Sequence, residues 1–275
     1  PLFRSDHGVV CMLCGSLGMT GSAVLASKAA MRTGCGMVHL FSPASALPAL
    51  SMNCIETVMH GIAETGAGRP AFAALDTLRS FASTAQSLCI GPGISHEEET
   101  GRLVRALVAQ AQRPVILDAD GINAYKDRSE ELKKRQSMLL ITPHRGEWGR
   151  LFPPLPEAPL DAVEALKGKA ADYAMTILYK GNPTIVADPR GRAYLLPFGN
   201  SGMATAGCGD VLSGIIASLV AQGCDLTDAA VLGAYIHGRA GGEAARLYGE
   251  YSMIASDLLA ALPTVIKNLI ESQRQ

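Results

Sequence analysis

The chain has 275 residues, a length that allows one large domain or two small ones. Hydrophobic residues make up 48%, enough for a sizeable core, and the formal net charge is only -1. That balance argues against a nucleic-acid or anionic-membrane partner, and no apolar run reaches transmembrane length without a glycine or a charge.

The first residues, Pro1-Leu2-Phe3-Arg4-Ser5-Asp6-His7-Gly8, do not read as a signal peptide. They lack an initiator Met, so the chain reads as processed or as a piece of something longer. Val9–Cys14 reads as a buried strand ending at Gly15-Ser16. Cys11 and Cys14 have the spacing of a redox or metal pair, but residues three apart on a strand face opposite ways. No second pair completes a zinc site. Seven scattered cysteines form no disulfide framework, which fits a reducing, cytoplasmic setting.

Ser22–Thr33 is an alanine-rich helix closed by Gly34, so Gly15–Gly21 is a candidate ligand-facing loop. Gly36–Phe41 reads as the next strand, with a short strand near Ile55–Val58 and a flexible, glycine-bearing stretch at Gly61–Gly68. Pro70–Ala82 looks helical. Ser87–Ile90 is a strand running into Gly91-Pro92-Gly93, and ligands of open α/β sheets bind at the carboxyl ends of strands. Glu97–Gln110 is an amphipathic helix with Leu103, Leu107 and Ala111 in one stripe.

Val115–Leu117 is a strand ending at Asp118-Ala119-Asp120, two acids that either hold Mg²⁺ through water or cap the next turn. Met138–Ile141 precedes Thr142-Pro143-His144-Arg145-Gly146-Glu147. There His144, just past a strand end, serves a ligand contact or a local hydrogen bond. Phe152–Pro159 is a linker or lid, and Asp161–Tyr173 a helix. Thr176–Tyr179 leads to Lys180-Gly181, and Thr184–Ala187 with Ala193–Leu196 forms a hairpin around Asp188-Pro189-Arg190-Gly191. Lys180 either meets phosphate as a point charge or stands solvated at its strand end. Leu226–Tyr248 is a long helix on which His237 reads as a packing residue, and Ala255–Leu262 is the last helix.

The chain is organised around Gly199–Gly223. Gly199, Gly202, Gly207 and Gly209 form a turn open to unusual dihedrals and close ligand approach. The apolar run Val211–Ala221 has helical length, and Gly223 stands at its stop. A glycine loop feeding a helix start presents free N–H groups and the positive end of the helix dipole, a combination that attracts phosphate. Asp210 is out of place beside a phosphate for binding alone. It reads as a base taking a proton from an attacking hydroxyl, compatibly with a capping role. Strands alternating with helices throughout predict a single α/β domain with a mainly parallel sheet.

The ordered set GSLGMTGSA, GPG, LDADGIN, TPHRGE, KGNPTIVADPRG, GNSGMATAGCGDVLSG and ASDLLAALP closely resembles the ADP/ATP-dependent NAD(P)H-hydrate dehydratases, a branch of the ribokinase-like superfamily. The similarity runs from about Gly8 to Val265. It implies a three-layer α/β/α sandwich and repair of a damaged cofactor: dehydration of the S epimer of hydrated NADH or NADPH with ADP or ATP and Mg²⁺. The resemblance implies that Asp210 deprotonates the C6 hydroxyl and that Gly207, Cys208 and Gly209 form the anion hole. It implies further that Gly21, Ser22, Gly91, Gly93 and His144 contact the hydrated dinucleotide. Lys180, Gly181, Asn182, Pro183, Thr184 and Gly209 would hold the adenine nucleotide. A homotetramer and an NAD(P)H-hydrate epimerase as functional partner follow from the same resemblance. Ser22 stands where the family commonly has Ala, Met19 where it has Tyr, and Cys208 where it has Thr or Ser. A ribokinase-like small-molecule kinase and a nucleotide-sensing protein without turnover are the rival readings.

Overall fold

The computed structural model describes residues 7–272, so the reading of the residues before His7 lies outside the described residues. Nine strands form one sheet: β1 (Val9–Leu13), β2 (Met37–Pro43), β3 (Val58–Ile62), β4 (Ser87–Ile90), β5 (Val115–Leu117), β6 (Leu139–Ile141), β7 (Thr176–Tyr179), β8 (Thr184–Ala187) and β9 (Ala193–Leu196). Their spatial order is β3-β2-β1-β4-β5-β6-β7-β8-β9. Every pairing from β3 to β7 is parallel, and the β8–β9 hairpin closes one edge antiparallel. The chain therefore leaves β1 toward one edge, returns to β4 on the other side and continues outward. Between β1 and β4 the direction of winding reverses, which is where ligands of open α/β sheets bind.

The helices are α1 (Thr20–Thr33), α2 (Leu47–Ser51), α3 (Leu75–Ala82), α4 (Glu98–Gln110), α5 (Asp120–Asn123), α6 (Arg145–Leu151), α7 (Pro159–Asp172), α8 (Cys208–Ala221), α9 (Leu226–Tyr248) and α10 (Ala255–Ser272). Alternation along each strand divides them into two layers. Val10, Met12, Cys14, Cys89, Ile116, Leu140 and Leu178 point into one core with α1, α8, α9 and α10. Cys11, Leu13, Leu88, Ile90, Val115, Leu117, Leu139, Ile141 and Ile177 point into the other with α3, α4, α6 and α7. This is the expected three-layer sandwich. Cys11 and Cys14 lie in opposite cores, as their strand spacing requires, and all seven cysteines are free. Among the described residues no helix is long and apolar enough to cross a membrane.

Several boundaries differ from the sequence reading. The strand expected at Ile55–Val58 begins only at Val58, which pairs with His39, while Ile55 is 80% exposed in the preceding turn. The glycine stretch after it is pinned: Glu64 bridges Pro70 and Leu17 N–H donates to Gly68 O. Pro70-Ala71 belongs to that bridge, so the helix proper starts at Leu75 after one 3-10 turn. Phe152–Pro159 is a connector and not a lid, since Trp148 Nε1 donates to Pro153 O and none of its residues lines the large pocket described below. The last helix runs on through Pro263 to Ser272.

The whole of α8 from Val211 to Ala221 is buried across β1, β4 and β5. It approaches α1 so closely that a Cβ at Gly214 would sit 2.1 Å from the Ala26 carbonyl oxygen. Overpacking of this kind costs about 1–3 kcal/mol. Gly214→Ala is therefore expected to lower the unfolding free energy by that amount, and the thermal midpoint with it. An unchanged midpoint would contradict the close packing of α1 on α8.

Candidate active site

The carboxyl ends of β5, β6 and β7 deliver Asp118, Thr142 and Lys180 to one point. Asp118 is 1% exposed, a burial no lone carboxylate tolerates. Its Oδ1 accepts from Lys180 Nζ at 2.7 Å and from Thr142 Oγ1 at 2.7 Å, and its Oδ2 from Ser213 Oγ of α8 at 2.8 Å. Lys180 Nζ also lies 3.5 Å from Glu147 Oε2. Burial pushes the Asp118 carboxyl up, but Lys180 and the hydroxyl donors hold it below its usual range. Burial likewise pushes Lys180 down, and the Asp118 and Glu147 charges outweigh it, leaving the ammonium more strongly protonated. Lys180 is thus an ion-paired side chain, not a solvated one.

This cluster anchors the first turn of α8. Gly207, at φ 93°, is the N-cap, and a Cβ there would stand 2.5 Å from Leu25 Cδ1. Cys208, Gly209 and Asp210 follow. Asp210 is in the first turn and not at the cap. Among the described residues no backbone carbonyl accepts from the N–H groups of Gly209 or Asp210. A Cβ at Gly209 would come 3.5 Å from Lys180 Nζ, so a positive charge backs the free amides. His237 of α9 supports the turn from behind, its Nε2 lying 2.8 Å from Cys208 O. A carbonyl only accepts, so Nε2 carries the proton. Burial pushes the ring down to about 4, against the Cys208 bond and assisted by the Lys180 charge, which leaves His237 neutral.

Asp210 differs from Asp118 in having no cation at bonding distance among the described residues. Burial pushes its carboxyl up to about 7, and the neighbouring Asp118 charge adds to the rise. The neighbouring Ser22 side chain and the charge of Lys180 oppose it, and Asp120 adds a little more. The result is a carboxyl that exchanges a proton near neutrality, a property concentrated at functional sites.

A pocket of about 650 Å³ opens in front of these groups. Asp210, His144, Lys180, Gly181, Asn182, Thr184, Gly207, Cys208 and Gly209 all line it, together with Asp118, Phe198, Asn200, Leu212 and His237. Its volume and mixed apolar and polar walls suit a nucleotide-sized ligand. Pro183 of the expected set is exposed but off the wall. Gly21, Ser22, Gly91 and Gly93 gather on the other side of Asp210, at the β1–β4 reversal. A Cβ at Gly93 would lie 2.8 Å from Met19 O and 3.0 Å from Ser22 Cβ, and one at Gly91 1.8 Å from Asp118 O. Gly21 has open space around it. Of its two expected alternatives, His144 makes the local hydrogen bond. Its Nδ1 accepts from Gly146 and Glu147 N–H as the cap of α6, while its half-exposed ring faces the pocket.

The two acids after β5 do not act as a pair. Asp118 is committed to Lys180, whereas Asp120 Oδ2 accepts from Ser95 N–H at 2.8 Å and its Oδ1 sits 3.1 Å from His96 Nδ1. Among the described residues no group of three His, Cys, Asp or Glu side chains converges as a metal cage. Glu147, Ser213 and His237 are members of the site that the linear pattern did not single out. Glu147 offered a signal as the N3 residue of a capping box. His237 offered none, because only the packing of α9 on α8 brings it to Cys208.

Residues 10–264 match the family model of the NAD(P)H-hydrate dehydratases. The chain belongs to the NAD(P)H-hydrate dehydratase family. It is 41% identical over 266 residues to the bifunctional NAD(P)H-hydrate repair enzyme Nnr of Moorella thermoacetica, covering 96% of this chain and 50% of that protein. It is 35% identical to the ADP-dependent (S)-NAD(P)H-hydrate dehydratase of Neisseria meningitidis, covering 94% and 82%. The chain spans about half the length of the bifunctional relatives it matches. Among solved structures it resembles the ADP/ATP-dependent NAD(P)H-hydrate dehydratase of Bacillus subtilis co-crystallised with ATP/Mg²⁺. That match has a TM-score of 0.78 and 28% identity, over 97% of this chain and 91% of that one. A ribokinase-like superfamily protein of Enterococcus faecalis superposes with a TM-score of 0.81 at 26% identity, over 97% and 89%. The ribokinase-like fold of this family member is thereby shown.

Removing one partner of a buried ion pair strands the other. Lys180→Met is expected to cost about 3–5 kcal/mol in denaturant unfolding. Asp118→Asn combined with it should lose clearly less than the sum of the single losses. Additive losses would contradict the coupling.

Proposed function

We propose that the chain dehydrates the S epimer of hydrated NADH or NADPH, using the terminal phosphoryl group of ADP or ATP, and so repairs a damaged cofactor. One observation carries the reading: a carboxyl poised near 7, Asp210, stands between a nucleotide-sized pocket and the glycine turns at the β1–β4 reversal. The activities of the Neisseria and Bacillus relatives support it.

In this reading Asp210 takes the proton of the C6 hydroxyl as its oxygen attacks the terminal phosphorus, and the bond from that phosphorus to the nucleotide breaks. Hydroxide leaves a ring poorly and phosphate leaves it well. The phosphate departs with the C6–O bonding pair, and loss of a proton from C5 restores the ring double bond. Gly207 and Gly209 offer their N–H groups to the charge on the transferring group, whereas the Cys208 N–H of the expected anion hole instead donates to Thr205 O at 3.5 Å. Lys180, Gly181, Asn182 and Thr184 hold the adenine nucleotide, with Pro183 shaping the turn that carries them. His144, Ser22 and Gly21 meet the hydrated dinucleotide, above a floor made by Gly91 and Gly93.

Magnesium fits as an ion brought by the nucleotide. Of the pocket's acids Asp118 is committed to Lys180, so Asp210, an oxygen donor, would hold the ion through water and the phosphates, whose charge the ion screens. The chain serves as one dehydratase unit, assembles as a homotetramer and works beside an NAD(P)H-hydrate epimerase. The free cysteines favour the cytoplasm.

Incubation with hydrated NADPH or NADH and ADP or ATP should release inorganic phosphate and regenerate the reduced cofactor. A stable phosphorylated product would instead indicate a kinase. Asp210→Asn should lower turnover by about 10² or more, with nucleotide affinity largely retained. Wild-type activity in that variant would remove the base from Asp210.

Asp210 acts as the carboxylate, so protonation inactivates it. kcat/KM should be level above about 7 and fall tenfold per unit of pH below it. The Asp210→Asn variant should lack that limb. A wild-type profile flat down to the ordinary carboxylate range would contradict the assignment.

A further inference from the structure

Beyond the nucleotide pocket the described residues enclose a second cavity of about 410 Å³, sharing no lining residue with the first. Four cations line it: Arg105 from α4, Lys126 and Arg128 from the segment after α5, and Arg150 from α6. Its two lining carboxylates are already engaged. Glu98 lies 2.6 Å from Arg105, and Glu97 accepts from Thr65 Oγ1 at 3.1 Å. Arg128 is paired with Glu131 at 3.3 Å. Among the described residues Lys126 and Arg150 make no salt bridge to a carboxylate; Arg150 instead donates to Asn123 Oδ1 at 2.6 Å, which steadies its guanidinium.

The cavity begins just after the glycine turn that follows β4. Ser95 and His96, two and three residues beyond Gly93, belong to its wall, and both hold Asp120, whose charge is felt at Asp210. His144 caps one end of α6 and Arg150 lies six residues further along, about 9 Å at 1.5 Å per residue. A dinucleotide with its damaged ring at Asp210 carries any 2′-phosphate at its far end, beyond the pyrophosphate and a second ribose. A dianionic phosphate calls for a guanidinium fork and a nearby ammonium.

We infer that this cavity binds the ribose 2′-phosphate of the hydrated dinucleotide through Arg150 and Lys126, so that the enzyme reads hydrated NADPH apart from hydrated NADH. The inference rests on the dehydratase reading and names the part of the substrate that reading leaves open. Lys126 and Arg150 are exposed, so the double variant Lys126→Ala/Arg150→Ala should keep the wild-type thermal midpoint.

Steady-state kinetics on that variant should show KM for hydrated NADPH raised about tenfold or more. KM for hydrated NADH and for the adenine nucleotide, and kcat for both substrates, should stay within twofold. Equal losses for both dinucleotides, or none, would overturn the assignment. A wild-type protein that turns over neither dinucleotide would sink the dehydratase reading instead. An independent readout is calorimetric binding of adenosine 2′,5′-bisphosphate with the nucleotide pocket saturated by a non-hydrolysable ATP analogue and Mg²⁺. Wild type should bind it and the double variant should not. Equal binding by the two proteins would likewise overturn the 2′-phosphate site.

Discussion

The structure depends on how one buried charge is satisfied. Asp118 ends β5 almost without solvent, and the groups that make its ionised form tolerable come from the ends of β6 and β7 and from α8. A buried carboxylate carries a desolvation penalty of several kcal/mol unless it is paired and hydrogen-bonded. Any displacement of Thr142, Lys180 or Ser213 would expose that penalty, so the three strand ends and the helix are held in register by it. The same charge then acts on the chemistry. Burial raises Asp210, the Asp118 charge adds to the rise while Lys180 restrains it, and the Asp210 carboxyl comes to rest near neutrality.

Packing supplies the rest of the placement. α8 is apolar and buried from its second turn onward, so its axis is set by α1, α9 and the sheet and not by the ligand. Small residues permit this: Gly214 lets α1 approach, and Gly233 of α9 lets Ile216 in, where a Cβ would stand 2.7 Å away. The first turn of that rigid helix is left free, with amides on one side and Asp210 facing Ser22 on the other. A reacting hydroxyl and a terminal phosphate can therefore approach the same carboxyl from two directions without the backbone moving. Preorganisation of this kind is how positioned dipoles act without reorganisation at the moment of reaction.

Much of the fold was legible because its signals are local. β5, β7 and the β8–β9 hairpin fall on their expected residues, and the glycine stops at Gly34 and Gly223 take the left-handed conformation that ends a helix. The region between Ser42 and Ala71 was not legible. β3 is an edge strand with four of its five residues exposed or half-exposed, so its hydrophobic pattern is faint. Pro263 hid the length of α10 for the converse reason, since tertiary packing of Val265 and its neighbours carries the helix past a residue that usually stops one. At the site, Asp210, His144 and the glycines announced themselves by type and context. The ion pair of Lys180 with Asp118 spans 62 positions, and the support of Cys208 by His237 spans 29. Such contacts exist only once the sheet order and the helix layers are known.

The most direct measurement is a crystal structure with a non-hydrolysable adenine nucleotide and Mg²⁺ bound. The account predicts the terminal phosphate within hydrogen-bonding distance of the Gly209 N–H, with the Asp210 carboxyl facing its phosphorus across room for one hydroxyl. A terminal phosphate lodged away from the first turn of α8, with Asp210 turned from it, would contradict the account.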